Sequence, residues 1–475
     1  MRLYWYGLQM LLKKFLLRQN TGKVICDFSA KMGVVYIKVA QILAMQNIGA
    51  VFTEDDRQKL AQICDHCNPI PFHKIREILR QEYGENFQNK FQFIDPTPLG
   101  SASISQVHRA ILKDGTEVAI KIRRQDLTCR IARDVKQIRR LIHRFGKLVS
   151  FRNLFGSDRA LECYLDWIHQ ETDFENEQRN IVRYQEFANS VNGKISDIKT
   201  KIVVPKLYPD YCTQNVIVME FVTAPTINQL NMTESNKTKI AKAKNDYIRL
   251  SFYAMFHQMP VVFHGDPHGG NIYLTSSGYL GFLDMGLIFE FSPAEADLTR
   301  QLFLSAYTGK VDKVIEMLQQ QGEYRDIDWA QLRSEMLSEI KKLKTIPVEQ
   351  FFVEMIGIFT QYDIAVPSFL FKMAKAFLAL FGMNTITNNL ADTKSLLAEQ
   401  VAEYYIRRSC NDVKHTFITG LQLAPKFLKS SLQGGLAQGI SSQLTELNNF
   451  SKQCQTTLLN CQETLELLNL REPAK

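Results

Sequence analysis

The hydrophobic pattern of the chain changes its period near Pro98. Before this point, residues 1 to about 70 repeat apolar side chains at helical spacing, and residues 30–46 form one such stretch. After it, alternating residues predict strands, and the Asp-Gly pair at 114–115 predicts the turn of a hairpin. The pattern therefore predicts helices followed by a sheet.

The rest of the chain is mostly helical by its pattern. Residues 126–148 predict an amphipathic helix, and an acidic cluster at 171–177 lies on the next helix. Residues 216–222 predict a buried strand, and the break after it would be a hinge between two lobes. From Ser292 to the end the pattern is helical, and the lysines at 372 and 375 interrupt what looks like a buried core helix. We expect four segments: a helical extension (1–95), an N-lobe (96–222), a C-lobe (223–390) and a helical tail (391–475).

The stretch 261–286, VVFHGDPHGGNIYLTSSGYLGFLDMG, holds three oxygen-bearing side chains at spacings that suit a metal and a phosphate group. Its two short apolar segments predict a hairpin. With the turn centred between residues 277 and 278, Asn271 and Asp284 would face each other and share Mg²⁺, which prefers oxygen ligands. Asp266 lies on the preceding loop, where it could orient or deprotonate an attacking hydroxyl.

This spacing is that of the catalytic loop D-x-x-x-x-N and the D-x-G metal motif of kinase-like phosphotransferases. A lone D-x-G would more simply end a strand, and Asp266 with Asn271 could cap a turn. The joint constellation favours phosphoryl transfer instead. The sequence therefore predicts an α+β, two-lobed protein-kinase-like fold with an N-terminal helical extension and a helical C-terminal region.

Lys121 closes the predicted hairpin behind a loop of small residues. A nucleotide-binding lobe needs backbone N–H groups near the phosphates and one cation that bridges them. A helix glutamate usually holds that lysine, so one carboxylate of 171–177 should pair with Lys121, although spacing alone does not choose among them. The hinge backbone at Glu220 and Val222 should meet the adenine. The loop residues are Gly100, Ser101, Ala102 and Ser103.

Composition narrows the class of protein. The 475 residues, 45% of them hydrophobic, can bury a large core. The formal charge of +8 includes no block of like charges, so we expect no nucleic-acid partner. The nine cysteines are scattered, which indicates a reducing compartment, and the close pair Cys64 and Cys67 lacks matching zinc ligands.

The sequence shows neither a secretory signal nor a membrane span, so we expect a cytoplasmic protein whose contact with membranes is peripheral. No segment reaches the roughly 20 apolar residues that a membrane span needs, and no secretory cleavage site follows the apolar start. The first helix is basic and aromatic at one end, so it could lie on a membrane surface or pack on the domain.

With these residues in hand, the sequence resembles the UbiB/ADCK family of atypical kinases, also called AarF, from about Lys31 to about Gly382. Its ordered motifs make the resemblance specific. They are a K-x-G-Q signature at Lys38 and Gln41, the small-residue loop, the V-A-I-K lysine Lys121, E-x-D at Glu171 and Asp173, the helix glutamate Glu177, H-G-D-P-H-x-G-N at 264–271 and D-x-G at Asp284.

The resemblance implies an ATP- and Mg²⁺-binding protein in which the N-terminal extension and the E-x-D residues fold over the site and restrict protein substrates. It selects Glu177 as the partner of Lys121. It places Glu171 and Asp173 near the nucleotide, together with Lys38 and Gln41. Family members support ubiquinone or related prenyl-lipid metabolism at membranes. The implied partners are a nucleotide, a lipid or quinone-like ligand, and either a homodimer or a lipid-biosynthesis complex.

The chain departs from the family pattern at two places. Ala40 replaces the signature glycine, and the alanine-rich loop reads Gly-Ser-Ala-Ser, which changes the backbone freedom over the phosphates. Compared with ordinary protein kinases, the chain lacks an A-P-E motif, and Gly265 replaces the arginine of HRD, as in the H-G-D motif of this family. Two alternatives stay open: a small-molecule kinase of the aminoglycoside or choline kinase type, which shares H-G-D-x-x-x-x-N, and a non-catalytic ATP-binding scaffold for lipid handling.

Overall fold

The computed structural model describes most of the central chain. The described residues are 21–45, 69–102, 104–124, 127–145, 158–257, 260–267, 269–308, 310–321, 327–342, 348–362, 364, 371–373, 375–376, 401–402, 404, 406–419 and 438–469. The expected membrane-surface helix at the start of the chain and the Cys64/Cys67 pair lie outside these residues.

Helices account for most of the described chain. They are α1 (Thr21–Met32), α2 (Val34–Met45), α3 (Phe72–Tyr83), α4 (Leu127–Phe145), α5 (Asp158–Glu171), α6 (Phe174–Val191), α7 (Glu234–Phe256), α8 (Pro293–Thr308), α9 (Asp312–Gln321), α10 (Trp329–Lys342), α11 (Val348–Gln361) and α12 (Gln438–Asn469). The strands are β1 (Phe91–Ser101), β2 (Ser105–Leu112), β3 (Glu117–Arg123), β4 (Ile202–Val203), β5 (Val216–Glu220), β6 (Val261–His264), β7 (Ile272–Leu274), β8 (Leu280–Phe282) and β9 (Ile288–Phe291).

An antiparallel sheet in the order β1-β2-β3-β5 forms the first half of the fold. Alternate residues of β3 face opposite sides of this sheet. Val118 and Ile120 pack into a core with α3, whereas Ala119 joins the core that contains α6. Lys121 has the same parity as Ala119, so the strand directs its side chain toward α6 and the site.

The first strand begins earlier than the sequence pattern predicts. β1 starts at Phe91, seven residues before Pro98, and its pairing with β2 is irregular between Ile94 and Gly100. Pro96 and Pro98 lack the N–H group that a ladder needs, and β1 tolerates them because it lies at the sheet edge. Most of its side chains are exposed, so the alternation that marks a strand is weak.

The second half of the fold is built around α7, whose residues from Ile248 to Phe256 are almost all buried. It packs between two aromatic-rich cores and touches β6 and β8. The small sheets β4-β8-β7 and β6-β9 carry the loops of the stretch 261–286. The catalytic-loop residues therefore stand on short strands anchored by a large apolar core.

The N-terminal helices pack on α4 and α5. The predicted helix at 30–46 is broken at Gly33, whose φ of +115° lies in the region that favours glycine. Arg130 of α4 donates to the carbonyl of Met32 at this break, at 2.7 Å. Val35 and Ala40 are buried in the same core as Ile131. The methyl group of Ala40 therefore fills space between the extension and the domain.

Among the described residues, no helix combines the length and the apolar character needed to cross a membrane. The mixed α+β class is confirmed, with helices before the sheet and after the catalytic stretch. The expected segment boundaries at residues 95, 222 and 390 stay a prediction.

Candidate active site

Three charged side chains from separate parts of the sequence meet beneath the first sheet. Lys121 Nζ lies 2.6 and 2.9 Å from the two carboxylate oxygens of Glu177, on α6. It also lies 3.2 Å from Asp284 Oδ2. Glu177 is fully buried, and it accepts a further hydrogen bond from the Met285 N–H at 3.4 Å. The strand lysine, the helix glutamate and the D-x-G aspartate are thus in direct contact.

The charges in this cluster shift each other's protonation. Burial opposes ionisation of Asp284, but Lys121 and the Gly286 N–H outweigh it and lower the pKa of Asp284 to about 2. Burial also opposes the charged form of Lys121, yet Asp284 and Glu177 together raise its pKa above the ordinary range. Burial raises the pKa of Glu177 to about 7, against the opposing effect of Lys121. Asp284 is therefore ionised and Lys121 protonated at neutral pH.

His264 joins the catalytic loop to the D-x-G motif. Its Nδ1 accepts the Asp266 N–H at 3.1 Å, so the ring proton resides on Nε2. Nε2 then donates to the carbonyl of Asp284, at 2.5 Å. The ring is 2% exposed and stacks on Phe282, with centroids 5.1 Å apart. The sequence pattern did not indicate this positioning role for His264, although a histidine at the end of an apolar strand was a signal for it.

Asp266 meets the N-terminal extension. Lys38 of α2 places its Nζ 2.9 Å from Glu171 Oε1 and 3.5 Å from Asp266 Oδ2. Glu171 ends α5, and its backbone lies close to Gly286: a Cβ there would stand 3.4 Å from the Glu171 carbonyl oxygen. The extension, the E-x-D segment and the D-x-G motif thus converge on Asp266. We call Lys38, Glu171 and Asp266 the acceptor-side cluster.

Asp173 has a defined structural position at the start of α6. Its carboxylate accepts the N–H groups of Glu175 and Asn176, at 3.0 and 3.1 Å, and so caps the helix that carries Glu177. Contact of Asp173 and Glu171 with a nucleotide stays a prediction. Gln41 lies in α2 three residues after Lys38, and its side chain is outside the described part of the structure.

The predicted pairing of Asn271 with Asp284 is wrong by one residue. In the hairpin of β7 and β8, Ile272 pairs with Phe282, and the Leu283 N–H donates to the Asn271 carbonyl at 2.8 Å. The turn is therefore centred on Ser277: the Thr275 N–H donates to the Tyr279 carbonyl at 3.0 Å, and Gly278 adopts a φ of +79° inside the turn. Asp284 lies one residue beyond the position opposite Asn271, past the end of β8.

The loop of small residues is held by Arg124. Its Nε donates to the Ala102 carbonyl at 3.0 Å, and its NH2 group donates to Ser101 Oγ at 2.7 Å. The Ala102 N–H bonds to the Ser105 carbonyl at 2.9 Å, and open space surrounds the Cα of Gly100. Ser103 lies outside the described residues. Nucleotide contact by this loop stays a prediction.

The expected hinge follows β5. Glu220 is the last residue of this strand and pairs with Val118 of β3. Its N–H donates to the Lys206 carbonyl at 2.8 Å, and its side chain is exposed. Val222 lies two residues beyond the strand and is half-buried. Adenine contact by their backbone stays a prediction.

The donor set fits Mg²⁺ held together with phosphate oxygens. The described residues hold no group of three His, Cys, Asp or Glu side chains that would bind a metal by themselves. Asp284 Oδ1 accepts the Gly286 N–H at 2.8 Å, which fixes the carboxylate. Asn271 is half-buried and offers an amide oxygen. One carboxylate and one amide suit a cation that takes its remaining ligands from phosphate and water.

A comparison with known families decides the relationship. Residues 62–318 match the model of the ABC1 atypical kinase-like domain. The chain belongs to this family. The expected UbiB/ADCK (AarF) relationship is thereby confirmed, and the α+β architecture of this ABC1 protein is protein-kinase-like.

Curated relatives of this ABC1 protein come from bacteria, plants and fungi. An uncharacterized protein of Synechocystis sp. is 25% identical over 60% of this chain and 69% of its own length. An uncharacterized aarF domain-containing protein kinase of Arabidopsis thaliana, named as chloroplastic, is 26% identical over 66% of this chain and 58% of its own length. An ABC1 family protein of Schizosaccharomyces pombe is 27% identical over 64% and 56%. The chain thus spans between 56% and 69% of the length of these three relatives.

Solved structures were compared as well. The complex of Rv3197 with erythromycin from Mycobacterium tuberculosis is 18% identical, with a TM-score of 0.45, and the match covers 80% of this chain and 96% of that one. The ADP-bound aminoglycoside phosphotransferase APH(2'')-Ib is 13% identical, with a TM-score of 0.23, over 65% and 97%.

Proposed function

We propose that this ABC1 protein is an atypical kinase or ATPase that binds Mg²⁺ and ATP. The observation that carries the proposal is the contact of Lys121 with both Glu177 and Asp284, at 2.6 and 3.2 Å. A lysine fixed by a helix glutamate and a metal-motif aspartate is the arrangement that phosphoryl transfer requires, because positioning and charge stabilisation supply most of its catalysis.

Each residue then has a distinct part in the reaction. Lys121 bridges phosphate oxygens, and Glu177 holds its ammonium group in place. Asp284 and Asn271 would hold Mg²⁺, which would neutralise charge on the phosphates. Asp266 orients the nucleophile and accepts its proton, while His264 fixes the backbone of both loops. The backbone of the hinge and the small-residue loop would hold the adenine and the phosphates.

The acceptor that we propose is small, with water as the simplest case, and the position of Lys38 supports this proposal.

 Lys38 lies 3.5 Å from Asp266, so the extension occupies the side on which a protein substrate would approach. A water molecule or a small hydroxyl compound would still reach the aspartate. We therefore infer ATP hydrolysis, or transfer to a small acceptor, rather than phosphorylation of a folded protein.

Support of ubiquinone or related prenyl-lipid metabolism at a membrane surface is the biological role that we propose for this turnover. It follows from the family resemblance of the motifs, and the formal charge of +8 suits an anionic surface. We expect ATP turnover by the full chain with Mg²⁺ to rise several-fold with anionic liposomes that contain a quinone-like headgroup compound, and to stay low with neutral liposomes. Equal turnover without liposomes, with neutral liposomes and with the anionic liposomes would contradict the membrane role.

A second candidate, a nucleotide-dependent scaffold, is favoured by one observation: the ion pair of Lys38 with the aspartate that would act in catalysis. Asp266→Asn tests it. We expect this variant to bind ATP normally and to lose turnover by roughly 100-fold, because the lost proton acceptor contributes about that much. If the variant loses turnover and still supports prenyl-lipid synthesis in a strain that lacks the wild-type protein, the scaffold replaces the enzyme as the proposed function.

A further inference from the structure

Lys375 is a half-buried cation in the second half of the fold. Residues 371–373 and 375–376 are helical, and Phe371, Met373 and Ala376 are buried in the large core. Lys375 Nζ stands over two aromatic rings, 5.6 Å from the centroid of Trp167 and 6.0 Å from that of Phe289. These rings are themselves only 4.8 Å apart. The aromatic pair therefore fixes where the ammonium group lies.

The same pair places Lys375 beside the acceptor-side cluster. Trp167 precedes Glu171 by one helical turn of α5, so the two side chains share a face. Phe289 pairs with Phe263 of β6, the strand that leads into His264 and Asp266. The charge of Lys375 interacts with those of Asp266, Glu171 and Lys38. Burial lowers its pKa, and the two carboxylates oppose that effect.

Lys375 differs from the neighbouring cations in its partners. Lys121 is bound to Glu177 and Asp284, and Lys38 to Glu171 and Asp266. Lys372, on the same helical stretch, bonds to the Glu290 carbonyl at 3.0 Å and to Glu295 at 2.9 Å. Lys375 makes no hydrogen bond and no ion pair with any residue that the structure describes. Burying an ammonium group is costly when its three N–H donors have no hydrogen-bond acceptor. Lys375 is therefore suited to bind an anion.

The net charge of the acceptor-side cluster affects whether a phosphate group can bind beside it. Lys38 together with the carboxylates of Glu171 and Asp266 carries a net charge of one negative unit, which would repel a phosphate group. Lys375 brings the total to zero. The catalytic loop from His264 to Asn271 contains no lysine or arginine of its own. A cation from elsewhere in the chain must therefore offset the charge of the phosphoryl group on the side of Asp266, and Lys38 is already bound to the two carboxylates there.

We propose that Lys375 forms a phosphate subsite on the acceptor side of Asp266, where it holds the transferred phosphoryl group and then the product phosphate. This rests on the proposed ATP turnover. In hydrolysis the water oxygen bonds to the γ-phosphorus, and the bond from that phosphorus to the β–γ bridging oxygen breaks with its electron pair leaving on ADP. The water proton passes through Asp266 to solvent. Lys375 contacts the phosphate oxygens throughout the step, and it neither gives nor accepts a proton.

The test measures binding of inorganic phosphate to the full chain loaded with Mg²⁺ and ADP, by isothermal titration calorimetry. We expect Lys375→Met to weaken phosphate binding by roughly 10- to 100-fold, the usual loss for one charge-assisted hydrogen bond. Lys375→Arg should stay within about threefold of the wild type, because it keeps the charge. The matched control is Lys372→Met, which removes the same charge three residues away and should leave phosphate binding unchanged.

Two results would overturn the subsite: Lys375→Met binds phosphate as tightly as the wild type, or the wild type binds no phosphate at all. If Lys375→Met fails to fold, as judged by circular dichroism, Lys375→Gln takes its place with the same expectation. Failure of the proposed function looks different. A wild-type chain without ATP turnover, whose phosphate binding still depends on Lys375, would reject the enzyme and keep the subsite. Turnover that is inhibited equally by phosphate in the wild type and in Lys375→Met would reject the subsite alone.

Discussion

Asp284→Asn is expected to lower Mg²⁺-dependent ATP turnover by roughly 1,000-fold, which corresponds to about 4 kcal/mol of transition-state stabilisation. In the wild type, the Gly286 N–H donates to Asp284 Oδ1 at 2.8 Å. The asparagine of the variant keeps a side-chain oxygen that can accept this hydrogen bond. The substitution removes the charge that would hold Mg²⁺ and that lies 3.2 Å from Lys121 Nζ. The loop should therefore stay folded while the metal site fails. Steady-state rates across a Mg²⁺ titration measure the effect.

The matched control for this variant is Asp312→Asn. The side chain of Asp312 is 60% exposed. It forms an ion pair with Arg333 on the protein surface. Its replacement should leave turnover within about twofold, as for most surface substitutions. Equal rates for folded Asp284→Asn and the wild type would reject the metal role.

The same variant should also lose part of the pH dependence of stability. The pKa of Asp284 is lowered from 3.8 to about 2 in the folded protein. A depressed carboxyl pKa stabilises the folded state above the unfolded value, and that contribution is lost as pH falls from about 4 toward 2. The urea midpoint of the wild type should therefore fall more steeply over this range than that of Asp284→Asn. Parallel curves for the two proteins would contradict the shift.

Lys121→Met is expected to reduce ATP turnover by roughly 100- to 1,000-fold, the range for removal of one preorganised charge-stabilising donor. It should also destabilise the fold by about 3 kcal/mol, because Glu177 is fully buried and would lose its only cationic contact among the described residues. Burial already raises the pKa of Glu177 to about 7, so without Lys121 it should become neutral. Turnover assays and urea unfolding measure the two effects separately.

A double variant separates chemistry from folding in this prediction. Lys121→Met combined with Glu177→Met removes both buried charges, which is often neutral for stability when the volume is kept. We expect the double variant to regain most of the lost stability and none of the turnover. Lys113→Met is the matched control, since Lys113 is exposed at the turn of the same hairpin and should affect neither quantity. Turnover that returns with stability would mean that Lys121 is structural.

The sequence predicted well those features that depend on short spacing. The aspartate and asparagine of the catalytic loop lie five residues apart, and D-x-G follows after a short hairpin, so local geometry alone brings them near one another. The strand that carries Lys121 was visible because a hairpin with an Asp-Gly turn has a local signature. Even so, the predicted register of the hairpin of β7 and β8 was wrong by one residue. The sequence pattern did not show that Gly278 would adopt a positive φ within the turn.

Contacts between distant segments needed the folded structure. Lys121 and Glu177 lie 56 residues apart, and Lys38 and Glu171 lie 133 apart. The acidic cluster offered several carboxylates of equal merit by spacing. The fold selects Glu177 because Asp173 caps α6 and the helix then turns Glu177 toward the sheet.

The sequence by itself determined the family and the residue types of the candidate site, because their local spacing is that of the motifs for a magnesium-bound phosphate. The tertiary structure decided which charges meet. Lys375 shows the reason: in the sequence it only interrupts an apolar helix, and its position over Trp167 and Phe289 follows from packing between elements about 80 to 200 residues apart. Periodicity reports the burial of one element, whereas charge balance in a site depends on every element that packs around it.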